Sequence, residues 1–323
     1  MDAMNQLQII FMFSGQGSQH YQMAAELFQK NIYFRQQMLE LDDIAKAKLG
    51  ESIVERIYNT NFTVAHSFDE ILFTHPSIFM VEYALAKTVI ALGLQPRFIL
   101  GASLGELAAA ATAEVLPVEQ ALNLVIDHAQ LLHKQSKSGG LICILDDIDF
   151  FYRSDFLKNN SEVAAINSQT HFIIAVTSYN QAAVIKFLID NHINYVTLPV
   201  HNPFHSSYIE NSLTELLRIS QQYQFQSPIY PLISCSTAAL VSNFNSSHIC
   251  SVYRNIIRVK EAAQFINDRG NFYFLDLGPS GTMANLIKLN LPTGTKSITH
   301  AILTPFRQDI KALEKALSLK SIP

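Results

Sequence analysis

The sequence predicts an α/β fold, a large layered part built on a parallel sheet with a small βαββαβ part inserted into it. Three observations carry that expectation. Short apolar runs alternate with stretches of helical periodicity. One of these runs, residues 98–100, enters a Gly-x-Ser-x-Gly turn that is followed by an Ala-rich stretch. After Gly139-Gly140 the pattern changes to strand, helix, two closely spaced strands, helix and strand, which is the ferredoxin-like order.

Residues 9–13 form the first apolar strand and run directly into Ser14-Gly15-Gln16-Gly17-Ser18-Gln19. A helix is expected over 23–29. Met38, Leu39, Leu41, Ile44, Leu49 and Ile53 give helical spacing across 36–58. Pro76 sits at a favoured first-turn position and opens a helix to about residue 92, with Gly93 as its stop. A short buried strand at 98–100 leads through the turn at 101–105 to helices at 106–112 and 118–132. The insert then reads as strand 141–145, helix 149–157, strands 163–166 and 172–176, helix 181–191 and strand 195–200. This divides the chain into a large part, 1–137 with 205–323, and a small part, 138–204. Helices at 206–222 and 258–267 and strands at 231–234 and 273–277 complete the large part. No internal repeat or low-complexity tract stands out.

The 323 residues include 23 Lys and Arg against 27 Asp and Glu, a net charge of −4, with 15% charged and 49% hydrophobic content. Such a lean, core-rich chain is not disordered, and its mild acidity argues against a nucleic-acid binder. Its apolar runs fall short of the roughly 18 residues a membrane span needs. The start lacks a basic region and a small-residue cleavage site, so no signal peptide is expected. Cys143, Cys235 and Cys250 are odd in number and widely spaced. They suggest neither a metal site nor a disulfide framework, and a reducing cytoplasm is the expected setting.

Gly101-Ala102-Ser103-Leu104-Gly105 has the spacing of a nucleophile elbow. A serine on a sharp strand-to-helix turn exposes its hydroxyl, and small flanking residues let the backbone close around it. The Leu104 N–H, at the start of the following helix, would be one oxyanion donor. The serine needs a base, and eleven histidines compete. His20, His66, His75, His171, His192 and His248 fall near turns or polar stretches and read as surface or packing residues, while His128 and His133 lie on the helix after the elbow. Two combinations stand out. One is Ser103 with His205; His201 and His205 frame Asn202-Pro203-Phe204. The other is Ser103 with Asp276 and His300, the chain order of an α/β-hydrolase triad.

Phe13-Ser14-Gly15-Gln16-Gly17-Ser18-Gln19, Gly101-Ala102-Ser103-Leu104-Gly105-Glu106 and Phe204-His205-Ser206, in that order, resemble the malonyl-CoA:acyl carrier protein acyltransferase family. Gly278-Pro279-Ser280-Gly281 is similar to that family's Gly-Pro-x-Gly turn. The resemblance runs from about residue 9 into the 300s. It implies an α/β-hydrolase-like large domain with an inserted ferredoxin-like domain. It also implies ping-pong acyl transfer, with Ser103 attacking an acyl thioester and His205 as general base. Backbone N–H groups of Gln16 and Leu104 would form the oxyanion hole, and a backbone carbonyl near Arg254 would orient the base. Asp276 and His300 then become structural. Asn202-Pro203-Phe204-His205 would shape acyl selectivity, with Phe204 as a wall. No cofactor would be bound, because the acyl group arrives on the phosphopantetheine of an acyl carrier protein or on coenzyme A. The carrier protein is the implied partner of a monomeric enzyme, with Lys288, Arg254 and Arg258 as candidates for meeting its acidic surface. Neither nucleic acid nor a membrane is an expected partner.

Two departures bear on the substrate. The elbow has Ala102 where the family usually has His. Malonyl-transferring members carry an Arg 25 residues after the serine, whose planar fork pairs with the substrate carboxylate, and here that position is His128. No Arg lies between Arg97 and Arg153, and the only Lys residues there are Lys134 and Lys137. A neutral imidazole cannot replace the fork, and an unpaired, desolvated carboxylate costs roughly 2–5 kcal/mol. Uncharged acyl groups such as acetyl are therefore expected, with water competing for the acyl-enzyme. Together with Thr74-His75-Pro76 and Phe204-His205-Ser206-Ser207, this looks like the acyl-hydrolase branch found beside trans-acyltransferase polyketide synthases. The alternative is a malonyl- or other acyl-CoA:acyl carrier protein S-acyltransferase.

Overall fold

In the computed structural model, which describes residues 7–134 and 139–319, strand β1 (Gln8–Phe13) is the spine. Phe11 and Phe13 face one apolar cluster while Ile10 and Met12 face a second on the other side of the sheet. A strand buried on both faces reads as a continuous apolar run, which is why 9–13 is legible as a strand without alternation. Around it the first part of the chain folds as α1 (Ala25–Lys30), α2 (Ile32–Leu49), α3 (Ile53–Ile57), α4 (Ile71–Ala91), β2 (Pro96–Gly101), α5 (Gly105–Thr112) and α6 (Val118–Lys134). Next come β3 (Gly139–Ile144), α7 (Ile148–Arg153), α8 (Asp155–Asn160), β4 (Glu162–Ser168), β5 (His171–Thr177), α9 (Gln181–Asp190) and β6 (Tyr195–Thr197). The last part holds α10 (Glu210–Ser220), β7 (Leu232–Ser234), β8 (Ala239–Leu240), α11 (Ser246–Arg254), α12 (Val259–Asn267), β9 (Phe272–Asp276), α13 (Thr282–Leu289), β10 (Ile298–Ala301) and α14 (Asp309–Leu319).

The larger sheet has six strands in the order β10-β9-β1-β2-β7-β8, parallel except for the β7–β8 edge pair. Phe13 pairs with Gly101 and Met12 with Asp276, so the carboxyl ends of β1, β2 and β9 lie side by side. Loops leaving such ends are where open α/β sheets carry their sites. The second sheet is antiparallel, order β4-β5-β3-β6, with its own core of Ile142, Ile144, Leu157, Phe172, Ile174 and Val184. All four of its strands fall within 138–204, although the boundary at 137/138 and Lys137 lie outside the described residues.

Local chemistry explains where the elements differ from expectation. The single periodicity over 36–58 breaks into α2 and α3, because Gly50 takes φ 79° as a left-handed cap and Ser52 caps the next helix by accepting from Glu55 N–H. The helix expected over 149–157 is likewise two, split at Ser154, which caps α8. Helix α4 begins at Ile71, before Pro76, and is buried on nearly all sides, so its apolar stripe is too broad to mark an edge. Among the described residues no helix is long and apolar enough to cross a membrane.

Candidate active site

Strand β2 ends at Gly101 and the chain turns sharply into α5. Ser103 takes φ 52°, in the left-handed region that a side-chain-bearing residue occupies only when its surroundings enforce it. The turn is closed by Gly105 N–H to Ala102 O at 3.0 Å and Glu106 N–H to Ser103 O at 2.9 Å. Its glycines are a matter of space. A Cβ on Gly105 would lie 2.5 Å from the Phe13 carbonyl, and one on Gly15 would lie 2.8 Å from Ser103 Cβ. The Ser14–Gln16 loop after β1 is thus pressed against the serine. Among the described residues, neither the Gln16 nor the Leu104 N–H donates to another protein group. Ala102 is buried on the other face of the sheet with Leu100 and Ile233.

Ser103 Oγ lies 2.9 Å from His205 Nε2, and His205 Nδ1 lies 3.0 Å from the Asn255 carbonyl oxygen. The carbonyl can only accept, so Nδ1 carries the hydrogen and Nε2 presents its lone pair to the serine hydroxyl. The His205 N–H is fixed on Tyr253 O at 2.9 Å, and the residue takes φ 61°. Burial pushes the imidazole down to about 4, against the opposing pull of the Asn255 carbonyl. The ring is therefore neutral at neutral pH and able to take a proton.

Beside this pair is a cavity of about 340 Å³. Gln16, Asn202 and Phe204 line it together with Ile71 and Leu132. Among the described residues its titratable lining is Asp69, Glu70, His133 and His201, with no Lys or Arg. Ser103 and His205 stand just beyond this lining, next to Gly15-Gln16 and Phe204. Phe204 packs its ring near His75, His205 and Tyr253. Asp69 accepts from His201 at 3.4 Å. Partial burial pushes its carboxyl up, but hydrogen bonds from Ser67 and His201 outweigh this and hold it below its usual value.

His128 is fully buried and does not line the cavity. Its Nε2 is 3.1 Å from Ser220 Oγ and its Nδ1 is 3.2 Å from Tyr253 Oη. Ser220 gives its own hydrogen to Leu216 O at 2.7 Å, so it accepts from Nε2–H, and the Tyr253 hydroxyl donates to Nδ1. Both ring nitrogens are spent, and burial pushes the group down to about 3. Among the described residues no cluster of His, Cys, Asp and Glu could hold a metal ion.

With this geometry in view, likeness to known proteins is decisive: the acyl transferase domain family matches residues 10–320. The chain belongs to that family. It is 38% identical over 307 residues to the polyketide biosynthesis acyltransferase homolog BaeD of Bacillus velezensis, covering 95% of each chain. It is 37% identical over 305 residues to the homolog PksD of Bacillus subtilis, covering 94% of each. Among solved structures, the acyltransferase domain from the second module of the salinomycin polyketide synthase superposes with a TM-score of 0.85 at 27% identity, covering 98% of this chain and 73% of that one. FabD from Acinetobacter baumannii shares the fold, with a TM-score of 0.84 at 23% identity over 98% of this chain and 99% of that one.

In this acyl transferase domain several expectations from sequence need correction or retirement. His128 and Ala102, expected at the acyl pocket, do not line it, the first being fully buried away from the cavity and the second packed on the other face of the sheet. The carbonyl that holds the base belongs to Asn255, not Arg254. Arg254 ends α11, and Asn255 leaves the helix in an extended conformation (φ −78°, ψ 154°) with its carbonyl bonded to His205. The Arg254 side chain instead binds Glu210, with Nη2 2.8 Å from Oε1. The alternative triad does not form. Asp276 accepts from Gly278 and Ala284 N–H, both at 2.8 Å, so it closes the turn into α13, and His300 donates to Ala312 O at 2.8 Å. Asn202 and Phe204 line the cavity. Asp69, Glu70, His133 and His201 were not singled out as lining, because only the folded chain brings these turn and helix residues together.

Proposed function

We propose that this acyl transferase domain acts through an acyl-Ser103 intermediate on thioesters carried by an acyl carrier protein, and releases short, uncharged acyl groups to water. The observation that carries the substrate reading is the absence of a carboxylate clamp. Position 128 holds a neutral imidazole with both nitrogens occupied, and among the described residues the adjoining cavity offers two carboxylates and no Lys or Arg. A malonyl carboxylate entering there would lose water, find no partner and face Asp69 and Glu70. An acetyl group loses nothing comparable.

His205 Nε2 takes the Ser103 hydroxyl proton as Oγ attacks the thioester carbonyl, and Nδ1–H stays on the Asn255 carbonyl. The Gln16 and Leu104 amides receive the developing oxyanion. Collapse expels the pantetheine sulfur, which His205 protonates, leaving the acyl-enzyme. Water then attacks the acyl-serine with His205 again as base, and collapse breaks the Ser103 Oγ–acyl bond, with His205 returning the proton to Oγ and the free acid leaving. A carbonyl steadies the imidazolium less than a carboxylate would, but a thiol is an undemanding leaving group. The names of BaeD and PksD place those proteins in polyketide biosynthesis, which supports a polyketide carrier protein as partner. The substrate brings its own phosphopantetheine, so no resident cofactor enters the scheme.

The test is the fate of the acyl group. Acetyl-loaded carrier protein is incubated with the enzyme and an unloaded second carrier protein, and both are followed by intact mass. The expected outcome is free thiol on the first with no acetyl on the second, abolished by Ser103→Ala. Efficient malonyl transfer from coenzyme A to the carrier protein would establish the transferase reading instead.

A further inference from the structure

The reaction as described leaves one buried acid without a task. Glu82, on α4, is fully buried, and its Oε1 lies 2.6 Å from Ser14 N and 2.8 Å from Ser14 Oγ. Among the described residues its Oε2 has no hydrogen-bond partner. The Ser14 hydroxyl also lies 2.9 Å from Ser18 Oγ, and Ser18 gives its hydrogen to Gly15 O at 2.8 Å. Ser14 has one hydroxyl hydrogen for two neighbours, so the chain Glu82–Ser14–Ser18–Gly15 is fully donated only if Glu82 supplies a hydrogen of its own. A protonated acid also tolerates a bare Oε2 far better than a carboxylate does. Burial in the first place, and Asp276 nearby, push the Glu82 carboxyl well above its usual value against the pull of the Ser14 bonds.

Seven residues before Glu82, on the same face of α4, His75 Nε2 lies 3.3 Å from the side-chain Oε1 of Gln16. One helix thus holds both ends of the Ser14–Gln16 loop, with a neutral group at each contact, since burial also pushes His75 down to about 3.

We propose that Glu82 is a positioning residue which, as an uncharged acid, fixes the Ser14–Gln16 loop so that the Gln16 N–H meets the oxyanion formed at Ser103. A neutral anchor suits this place, because a carboxylate one residue from Gly15 would repel the negative charge the loop must stabilise. The inference rests on the acyl-Ser103 reading but not on whether water or a thiol accepts the acyl group.

The test is the rate at which Ser103 is acylated by acetyl-pantetheine thioester, read by intact mass, with kcat and KM measured separately and the thermal midpoint recorded. Glu82→Met keeps the volume and removes the acceptor; it should lower the acylation rate and kcat by roughly 10²-fold, the scale of a lost oxyanion donor, with KM little changed. Glu82→Gln keeps an acceptor for the Ser14 N–H and should restore the rate to within about fivefold, a small loss fitting one imperfect hydrogen bond. If the Met variant does not fold, Glu82→Asp withdraws the same acceptor by one methylene and should reproduce the loss. A folded Met or Asp variant acylated at the wild-type rate, or a Gln variant as slow as the Met variant, would overturn the assignment. Wild-type protein that is never acylated at Ser103 would instead defeat the parent reading.

Discussion

Ser103 and His205 both sit at positive φ, 52° and 61°, and each is held there by bonds to its own backbone. Strain of this kind costs of order 1–3 kcal/mol per residue and survives only where the surroundings over-determine it. Here it aims Oγ and Nε2 at each other across 2.9 Å. The pH response follows from burial of the base. A histidine pushed down to about 4 is neutral, and so competent, at every pH well above 4, and activity is lost only as acid protonates it. The kcat/KM for acetyl thioester should hold its plateau through pH 5 and fall with a midpoint near 4. A midpoint near the ordinary histidine value of about 6.5 would contradict the buried, carbonyl-oriented ring. Ser103 and His205 were legible in the sequence because their chemistry lives in side chains within short motifs. The Asn255 carbonyl was not, since any residue offers a backbone carbonyl and only the end of α11 decides which one reaches the base.

The elements that carry the pair are tied to each other behind it. Glu106, in the first turn of α5 just after the nucleophile, is buried, and its carboxylate accepts from Ser234 Oγ at 2.7 Å and lies 2.9 Å from His248 Nε2. His248 is on α11, whose Tyr253 and C-capping Asn255 supply their carbonyl oxygens to His205. The helix behind Ser103 and the helix behind His205 are thereby joined through one buried contact. Replacing His248 by Ala strands a buried carboxylate oxygen, a cost of about 1–3 kcal/mol. The expected result is a lower denaturation midpoint together with a several-fold fall in kcat, measured at a temperature where the variant is fully folded. An unchanged kcat would mean that α11 holds the base without help from α5. This link escaped sequence reasoning, where His248 reads as a surface or packing residue 142 positions from Glu106. The helices themselves were mostly visible, and those misjudged in extent, α2 with α3 and α4, were misread where a cap or a nearly all-round apolar surface hides the edge.

Across the whole molecule, the small sheet meets the segment between α11 and α12 next to His205. Ile257, two residues past the carbonyl on His205, bonds to the outer strand β4 through Ile166 N–H to Ile257 O at 2.8 Å and Ile257 N–H to Ala164 O at 2.9 Å. Glu162, at the start of β4, accepts from the Ser207 N–H at 2.8 Å, just after His205. The small sheet thus steadies both His205 and the Asn255 carbonyl that it bonds, while the larger sheet delivers Ser103 and the Ser14–Gln16 loop. The βαββαβ order was legible from alternating strands and turns. The stitching of β4 to residue 257 was not, because an isolated bridge leaves no periodic mark. Charge placement tells the same story at this scale. The arginine-free stretch from Arg97 to Arg153 covers the elbow helix α5 and α6, so the fold brings no guanidinium to position 128 from its own helix. Selection against a carboxylated acyl group is the central claim, and occupancy of Ser103 measures it directly. Equal amounts of acetyl- and malonyl-pantetheine thioester are offered together, and the acyl-enzymes are resolved by intact mass within the first turnover. A cost of roughly 2–5 kcal/mol for the unpaired carboxylate predicts acetyl in excess by about 30-fold or more. Malonyl occupying Ser103 as readily as acetyl would contradict it.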